Sequence, residues 1–262
     1  LLGIVASEKT AFRLVLRDAK RSLAALSREH PDGWGIAVHG GSGSGWTLDK
    51  GVACATDDDA FHRSALESHG QVLVSHVRKK TVGATSEDNT HPFQSGRWVF
   101  AHNGTVTATD DLRAATSPER LSAVRGSTDS ELLFAYMLTH LDEKGLVDAP
   151  ADTRTNDALA ARVRGLYGRA GYGSLNFLLS NGDTTFAHRL GRTLFLLERG
   201  PHDAVVKRRS SEDGTAIETT WSQRRRAVFV ASERLTDEPW TEVPEHTLLR
   251  IDRLPQPAWY TI

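Results

Sequence analysis

The residues best suited to chemistry are concentrated between positions 71 and 106, QVLVSHVRKKTVGATSEDNTHPFQSGRWVFAHNGTV. Two apolar runs, at residues 72–74 and 98–100, flank a polar segment rich in Thr, Gly, Asn and His. The first run leads into His76 and Arg78, and the second leads into a His-Asn-Gly triplet. Strand ends that deliver such groups to one place suit a small polar ligand. We therefore predict that this stretch binds a small polar molecule.

Several of these residues also have a simpler structural interpretation. Asn103 and Gly104 form a dipeptide that is common in hairpin turns. Arg78 is followed by two lysines and fits a solvated basic turn. Asp129 fits an acidic residue in the first turn of a helix. Taken one at a time, these interpretations are preferred, and only the combination of residues favours a binding site.

Histidines and the one cysteine suggest other chemistry. His76, His91 and His102 invite a metal site, but none lies in a spacing such as His-Glu-x-x-His, so we predict no metal and no cofactor. Cys54 lies in the apolar stretch 51–55, which predicts a strand with a buried, inert thiol. A single cysteine also excludes an intrachain disulfide framework.

Composition indicates an ordinary globular chain. Of 262 residues, 39% are hydrophobic and 25% charged, and 33 acidic residues balance 32 basic ones. This balance gives no preference for nucleic acid or a membrane surface. No apolar run approaches the roughly 20 residues of a spanning helix, and no secretory signal is recognisable at the start. We expect a cytoplasmic protein that binds neither nucleic acid nor membrane.

Hydrophobic periodicity predicts one α+β domain over residues 1–262 with many antiparallel strands. Thr10 is a candidate cap for a helix over residues 11–28. Ser127 or Thr128 together with Glu131 resembles a capping box for a helix that starts at residue 129. The charged segment 207–226 is predicted to be a loop or an exposed hairpin. Four helices are predicted: one over residues 11–28, a short one that starts between residues 57 and 59, one that starts at residue 129, and one over residues 155–170. The predicted strands are 1–6, 34–38, 46–53, 72–74, 98–100, 174–179, 184–189, 193–198, 227–231 and 247–250.

Six motifs follow one another in a characteristic order: LLGIVAS at 1–7, DGWGIA at 32–37, HVRxxTxG at 76–83, NTHPF at 89–93, HNG at 102–104 and TDSE at 128–131. Segments 176–189 and 231–235 extend the similarity over most of the chain. This set resembles the short stand-alone branch of the class II glutamine amidotransferases, which are N-terminal-nucleophile hydrolases. The resemblance implies a four-layer αββα sandwich of two antiparallel sheets.

The resemblance also implies a reaction. Such enzymes cleave the γ-amide of glutamine, or a related γ-glutamyl bond, through a thioester on an N-terminal cysteine whose own α-amino group is the base. Arg78 corresponds to the residue that clamps the substrate α-carboxylate, and Asp129 to the one that receives the α-ammonium. The side-chain amide of Asn103 and the backbone N–H of Gly104 correspond to the oxyanion hole.

Four further residues are expected around the pocket. Thr81 and His91 match family positions at the pocket wall, where they fix loops and substrate orientation. Trp34 and Gly35 are expected to border the pocket. His102 is expected to be a strand-end residue, since the α-amine serves as base in this family.

The sequence departs from the family at one point. A Cys-Arg pair directly precedes the Leu-Leu-Gly run in the family, whereas Leu1 is the first residue here. Three explanations stay open: the cysteine exists in the natural protein and is left out of this sequence, it was removed or never present in a binding-only relative, or another mechanism operates. The first is preferred because the other site residues are in place. As written, the chain is expected to be inactive as a glutaminase.

The sequence therefore predicts a glutamine amidotransferase or amidohydrolase acting on glutamine or a γ-glutamyl conjugate. The alternative is a non-catalytic γ-glutamyl-binding or regulatory subunit. The expected partner is a small-molecule substrate. A transferase would also require a separate ammonia-accepting synthase subunit, whereas a hydrolase would require none.

Overall fold

Two antiparallel sheets lie face to face in the computed structural model, which describes residues 1–81, 83–200, 206–209, 216–219 and 225–262. The strands are β1 (Leu2–Ala11), β2 (Trp34–His39), β3 (Trp46–Gly51), β4 (His69–Val77), β5 (Phe93–Ser95), β6 (Trp98–Val106), β7 (Tyr172–Ser180), β8 (Thr184–Arg189), β9 (Phe195–Arg199), β10 (Val206–Arg209), β11 (Ala216–Thr219), β12 (Ala227–Ala231), β13 (Thr241–Glu242), β14 (Thr247–Asp252) and β15 (Ala258–Thr261). The first sheet has the order β13-β9-β12-β1-β4-β2-β3 and the second β15-β14-β8-β7-β6-β5.

Helices cover the outer faces of both sheets. They are α1 (Leu23–Leu26), α2 (Asp59–Glu67), α3 (Thr109–Ala114), α4 (Pro118–Ser122), α5 (Asp129–Glu143) and α6 (Thr153–Arg164). Short π- and 3₁₀-helical turns lie at Leu14–Asp18, Ala55–Asp57 and Glu87–Asn89.

Alternating side chains on the strands divide the core into three layers. Residues such as Val5, Val74 and Leu178 point inward and fill the layer between the sheets. Ile4 and its neighbours point outward beneath α1 and α2, and Phe100 and its neighbours point outward beneath α5 and α6. This arrangement is the αββα sandwich, so the predicted fold class is confirmed.

The predicted helix over residues 11–28 is wrong. Instead β1 runs on to Ala11, because Thr10 and Ala11 pair with the start of β4. A π-helical turn follows, and Ser22 then caps the separate helix α1 by accepting a hydrogen bond from the N–H of Ala25 at 3.3 Å. Serine side chains compete with helical backbone hydrogen bonds in this way and favour helix starts. The amphipathic pattern was therefore real, but it belongs to two short helical segments.

The capping prediction for α5 holds in part. Thr128 is the cap, and its hydroxyl oxygen accepts from the N–H of Glu131 at 3.2 Å. The Glu131 carboxylate accepts from the N–H groups of Arg125 and Gly126, at 3.0 and 2.7 Å. The acidic side chain therefore fixes the loop before the helix rather than completing a capping box.

The other predicted strands are present, several of them longer than expected, and α6 begins at Thr153 with Asp152 as its cap. In the charged segment 207–226, β10 and β11 pair as a hairpin, while residues 210–215 and 220–224 lie outside the described residues. No helix in the described part of the chain is long and apolar enough to cross a membrane.

Asp58 provides a test of how α2 is attached to the sheet. Its carboxylate accepts from the N–H of Ala60 at 2.9 Å and from Trp34 Nε1 at 2.8 Å, so it caps the helix and satisfies a buried indole. We expect Asp58→Ala to lower the free energy of unfolding by about 2 kcal/mol in urea titrations. Asp59→Ala, an exposed change one residue on, should cost far less. Equal losses in the two variants would contradict the assignment.

Candidate active site

A cavity of about 530 Å³ opens at one end of the layer between the sheets. On β4 the inward-facing row passes from the apolar Val72 and Val74 to the polar His76 and then to Arg78, just beyond the strand end. Leu1, which directly precedes β1, also lines the cavity. The apolar inter-sheet core thus changes into a polar pocket over one strand end.

Arg78 is a buried cation in the cavity wall, with only 4% of its surface exposed. Its backbone N–H donates to the Gly33 carbonyl oxygen at 2.7 Å, and its Nη1 donates to the Ala84 carbonyl oxygen at 3.3 Å. Burial lowers the pKa of the guanidinium, and the nearby Asp32 opposes this shift. A buried guanidinium retains its charge and is suited to bind a carboxylate in the pocket.

Asp129 enters the cavity from the first residue of α5 and is 5% exposed. One carboxylate oxygen, Oδ2, accepts from the backbone N–H of Val106 at 2.5 Å, and Ser130 Oγ lies 3.4 Å from the other. A carboxylate accepts about four hydrogen bonds. Asp129 therefore retains acceptor capacity for a cationic group in the cavity.

Asn103 and Gly104 do not form a turn, because β6 continues through them to Val106 and pairs with β7. Gly104 faces Leu175, and a Cβ on it would lie 1.9 Å from the carbonyl oxygen of Ser174. The glycine is therefore required by the close approach of β7, not by turn geometry. The prediction of a strand ending before this triplet was wrong for that reason.

The N–H of Gly104 points away from β7. Leu175, which lies opposite, donates its own N–H to the Leu190 carbonyl oxygen at 2.8 Å, on the other side of β7. Residues opposite one another in antiparallel strands share either both hydrogen bonds or none. Gly104 consequently directs its N–H to the side of β6 where Val106 donates to Asp129.

The side chain of Asn103 bridges the two sheets at the cavity. Its Nδ2 donates to Ser232 Oγ at 3.0 Å, and Ser232 directly follows β12 in the opposite sheet. Both residues line the cavity. The amide therefore has a fixed position, with a second N–H that forms no hydrogen bond to any described residue.

His102 supports the site from the helix side. Its Nε2 donates to the Ser174 carbonyl oxygen at 3.0 Å, so the Nδ1 of the neutral ring accepts from Ser130 Oγ at 2.9 Å. Burial lowers the pKa of His102, while Asp129 and the Ser174 carbonyl oppose the shift. The imidazole thus holds the start of α5 against β6.

His76 and His91 form a buried pair whose ring centroids are 4.5 Å apart in the cavity wall. Burial lowers the pKa of both well below the usual value of 6.5, so both rings are neutral at pH 7. A Cβ on Gly35 would lie 2.1 Å from the His91 carbonyl oxygen, so Gly35 allows the His91 segment to pack on β2. Gly35 supports the wall from behind.

The remaining predicted residues are divided between the cavity and the core. Thr81 lies in the lining, as His91 does. Trp34 is buried against Phe61 on the helix side of the first sheet, and neither it nor Gly35 is among the described residues that line the cavity. Cys54 also lies outside the lining, where its thiol donates to the Ser27 carbonyl oxygen at 3.4 Å. It precedes a 3₁₀ turn rather than lying in the predicted strand.

Some lining residues were not proposed from the sequence, among them Ser130, Arg192, Thr193 and Ser232. Ser232 belongs to a segment that resembles the family, and its place one residue after an apolar strand was the available signal. Arg192 and Thr193 lie in a loop whose sequence gives no comparable indication. Among the described residues, no group of three or more His, Cys, Asp or Glu side chains is placed to hold a metal ion.

Comparison with known proteins identifies the class. The sequence pattern of the class-II glutamine amidotransferases matches residues 1–253. The chain belongs to this family.

Individual relatives agree with this assignment. A γ-glutamyl-hercynylcysteine sulfoxide hydrolase of Mycobacterium tuberculosis is 29% identical over 224 residues, covering 84% of this chain and 75% of the relative. The crystal structure of a protein from Pseudomonas aeruginosa that is titled a predicted glutamine amidotransferase has a TM-score of 0.64 at 23% identity, with 95% of each chain covered. The glutamine phosphoribosylpyrophosphate amidotransferase of B. subtilis has a TM-score of 0.61 at 17% identity, covering 99% of this chain and 48% of that one. At these identities the two structures show the fold alone.

The buried histidines make a pH-dependent prediction. Because burial lowers the pKa of His76 well below 6.5, the unfolded chain takes up a proton first as the pH falls. The contribution of neutral His76 to the free energy of unfolding is fully present above pH 6.5. It falls below that pH by about 1.4 kcal/mol per pH unit. His76→Gln should therefore show a shallower fall in unfolding free energy between about pH 6.5 and 5.

His69→Gln is the matched control, since His69 is exposed on the same strand. Urea titrations across this pH range should give it the wild-type slope. A wild-type slope in His76→Gln as well would contradict the prediction.

Proposed function

We propose that this protein hydrolyses the γ-amide of glutamine or of a γ-glutamyl conjugate through a thioester on an N-terminal cysteine. The observation that carries the proposal is the convergence of a buried guanidinium, a buried carboxylate and an anchored amide on one cavity beside the start of β1. The family assignment supports the reaction class. Residues 1–262 are proposed to act as one catalytic domain, because the cavity takes its walls from both sheets and from α5.

Arg78 and Asp129 are proposed to recognise the amino-acid end of the substrate. The guanidinium binds the α-carboxylate with two parallel hydrogen bonds, and the carboxylate binds the α-ammonium. Both side chains are almost fully buried, so these interactions form away from bulk water. Glutamine and γ-glutamyl conjugates share this end and differ only beyond the scissile bond, so the two residues accept either.

Asn103 and Gly104 are proposed to stabilise the oxyanion. The free N–H of the Asn103 amide and the backbone N–H of Gly104 are neutral donors on consecutive residues. Such donors stabilise charge that develops on the carbonyl oxygen in the transition state. Thr81 and His91 are proposed to fix the pocket wall around the substrate.

The proposed nucleophile is a cysteine two residues ahead of Leu1 in the natural chain, supported by the place of Leu1 in the cavity wall. Its α-amino group takes the thiol proton, and sulfur attacks the γ-carbonyl carbon. The C–N bond then breaks, and the leaving amine takes the proton. Water hydrolyses the thioester, which releases glutamate and restores the thiol.

Hydrolysis is preferred to amide transfer because one relative is named a γ-glutamyl-hercynylcysteine sulfoxide hydrolase. A transferase would deliver ammonia to a separate synthase subunit. The alternative from another class is a non-catalytic γ-glutamyl-binding or regulatory subunit. It keeps Arg78 and Asp129 for binding but makes no use of an anchored oxyanion donor.

Glutamate release distinguishes these possibilities. The natural full-length protein is incubated with glutamine and with γ-glutamyl dipeptides, and free glutamate is measured. Turnover is expected with at least one substrate, and none with a chain that starts at Leu1, which retains the cavity but lacks the cysteine. Binding of γ-glutamyl compounds without turnover by the natural protein would favour the regulatory subunit.

Arg78→Lys tests the carboxylate clamp. Lysine keeps the charge but loses the planar, bidentate geometry, so we expect KM to rise about tenfold or more. Lys80→Ala is the matched control, because it removes an exposed charge from the same segment and lies outside the cavity lining. An unchanged KM in Arg78→Lys would rule out this placement of the α-carboxylate.

Asn103→Ala tests the oxyanion donor. It should lower kcat by about 10²–10³ with little effect on KM, because the donor acts on charge that develops only in the transition state. Asn181→Ala removes a buried amide beyond the other end of β7 and serves as the control for lost stability. Comparable losses in binding and turnover for Asn103→Ala would argue against the role.

A further inference from the structure

We propose that Ser232 is a positioning residue, which fixes the side-chain amide of Asn103 so that its free N–H is directed at the developing oxyanion. This inference rests on the proposed function and adds a residue to it. Ser232 holds the donor through a hydrogen bond across the two sheets rather than by touching the substrate.

The contact itself is direct and sheltered. Asn103 Nδ2 donates to Ser232 Oγ at 3.0 Å, and Ser232 is 9% exposed. An asparagine amide has two N–H donors. One of them is used by Ser232, which defines the rotation of the amide plane about χ2 and so the direction of the other.

Ser232 is in turn held by its backbone. Its N–H donates to the Leu1 carbonyl oxygen at 3.0 Å, and its carbonyl oxygen accepts from Thr193 Oγ1 at 2.9 Å. The backbone that carries this hydroxyl is therefore hydrogen-bonded to Leu1, next to the place proposed for the nucleophile. A shift of Ser232 relative to Leu1 would strain the hydrogen bond between their backbones.

Asn176 fixes the loop that carries Thr193. It faces Asn103 across the β6–β7 pair and is fully buried. Its Nδ2 donates to the carbonyl oxygens of Arg192 and Thr193 at 3.0 and 3.1 Å, and its Oδ1 accepts from the N–H groups of Leu190 and Arg192 at 2.9 and 3.3 Å. This buried amide meets its hydrogen-bonding capacity within one loop. A continuous series of hydrogen bonds therefore runs from Asn176 through Thr193 to Ser232 and Asn103.

The chemical consequence is specific to the transition state. Oxyanion donors act only when they are preorganised toward the place where charge develops. Without the Ser232 hydroxyl, the Asn103 amide loses its anchor, while Arg78 and Asp129 still hold the substrate. The expected loss therefore lies in kcat and not in KM.

A double-mutant cycle on the natural enzyme tests the inference. Ser232→Ala should lower kcat about tenfold and leave KM within about twofold. The same change in an Asn103→Ala background should cause no further loss, because the group that Ser232 positions is already gone. An equal loss in both backgrounds would show a general structural role and overturn the proposal.

Two further variants separate positioning from stability. Ser232→Thr retains a hydroxyl and is expected to recover most of the activity. Ser75→Ala removes another buried hydroxyl in the same sheet, one that donates to the Gly35 carbonyl oxygen at 2.7 Å, and it should leave kcat unchanged. A fall in kcat for Ser75→Ala as large as for Ser232→Ala would contradict the inference.

A measurement that needs no turnover decides the same point if the proposed function fails. In ¹⁵N-asparagine-labelled protein, the side-chain NH₂ signals of Asn103 are those absent from Asn103→Ala. We expect Ser232→Ala to shift these signals and to speed their exchange with water, and Ser232→Thr to preserve them. Unchanged Asn103 signals in Ser232→Ala would overturn the anchoring role, whereas an inactive wild type would overturn only the function.

Discussion

The face-to-face packing of two antiparallel sheets is the constraint on which the rest of the structure depends. Side chains alternate along each strand, so every strand contributes one row to the layer between the sheets. These rows are apolar over most of their length. At one end they turn polar together: β4 leads to His76 and Arg78, β6 reaches Asn103, and β12 leads to Ser232. The pocket is the place where the apolar inter-sheet core stops.

Buried polar groups are costly unless they are paired, and the pocket shows how this cost is met. The Asn176 amide is fully used by one loop, and His102 binds a backbone carbonyl and Ser130. Groups proposed to meet the substrate are treated differently. Asp129 and the Asn103 amide each use part of their capacity on the protein and keep part for a ligand. This division between structural and available hydrogen-bonding capacity is what a preorganised site requires.

Much of this arrangement follows from local sequence. Strands with strong apolar runs, such as β12, and the largely apolar helix α5 were predicted because periodicity and composition agree there. The family resemblance further predicted the sandwich, and Arg78, Asp129, Asn103, Gly104, Thr81 and His91 all line one cavity. None of these residues could be recognised as a substrate-binding residue from its neighbouring residues in the sequence alone.

The errors have physical causes that a single sequence does not contain. The Asn103–Gly104 dipeptide suggested a turn, but glycine is required at residue 104 because the backbone of Ser174 in β7 approaches it closely. Helix periodicity over residues 11–28 gave no sign that Ala11 would pair with β4. Trp34 was placed at the pocket because of its motif, yet Asp58 and Phe61 hold it on the other face of the sheet. In each case a tertiary contact decided between local alternatives.

The most direct test of the proposed chemistry is to trap the covalent intermediate on the natural protein. The protein is mixed with a γ-glutamyl substrate, quenched in acid, and examined by intact and peptide mass spectrometry. The proposal predicts a single glutamyl group attached to an N-terminal cysteine just ahead of the Leu-Leu-Gly run. Glutamate release with the label on another residue, or a mature N-terminus without cysteine, would contradict it.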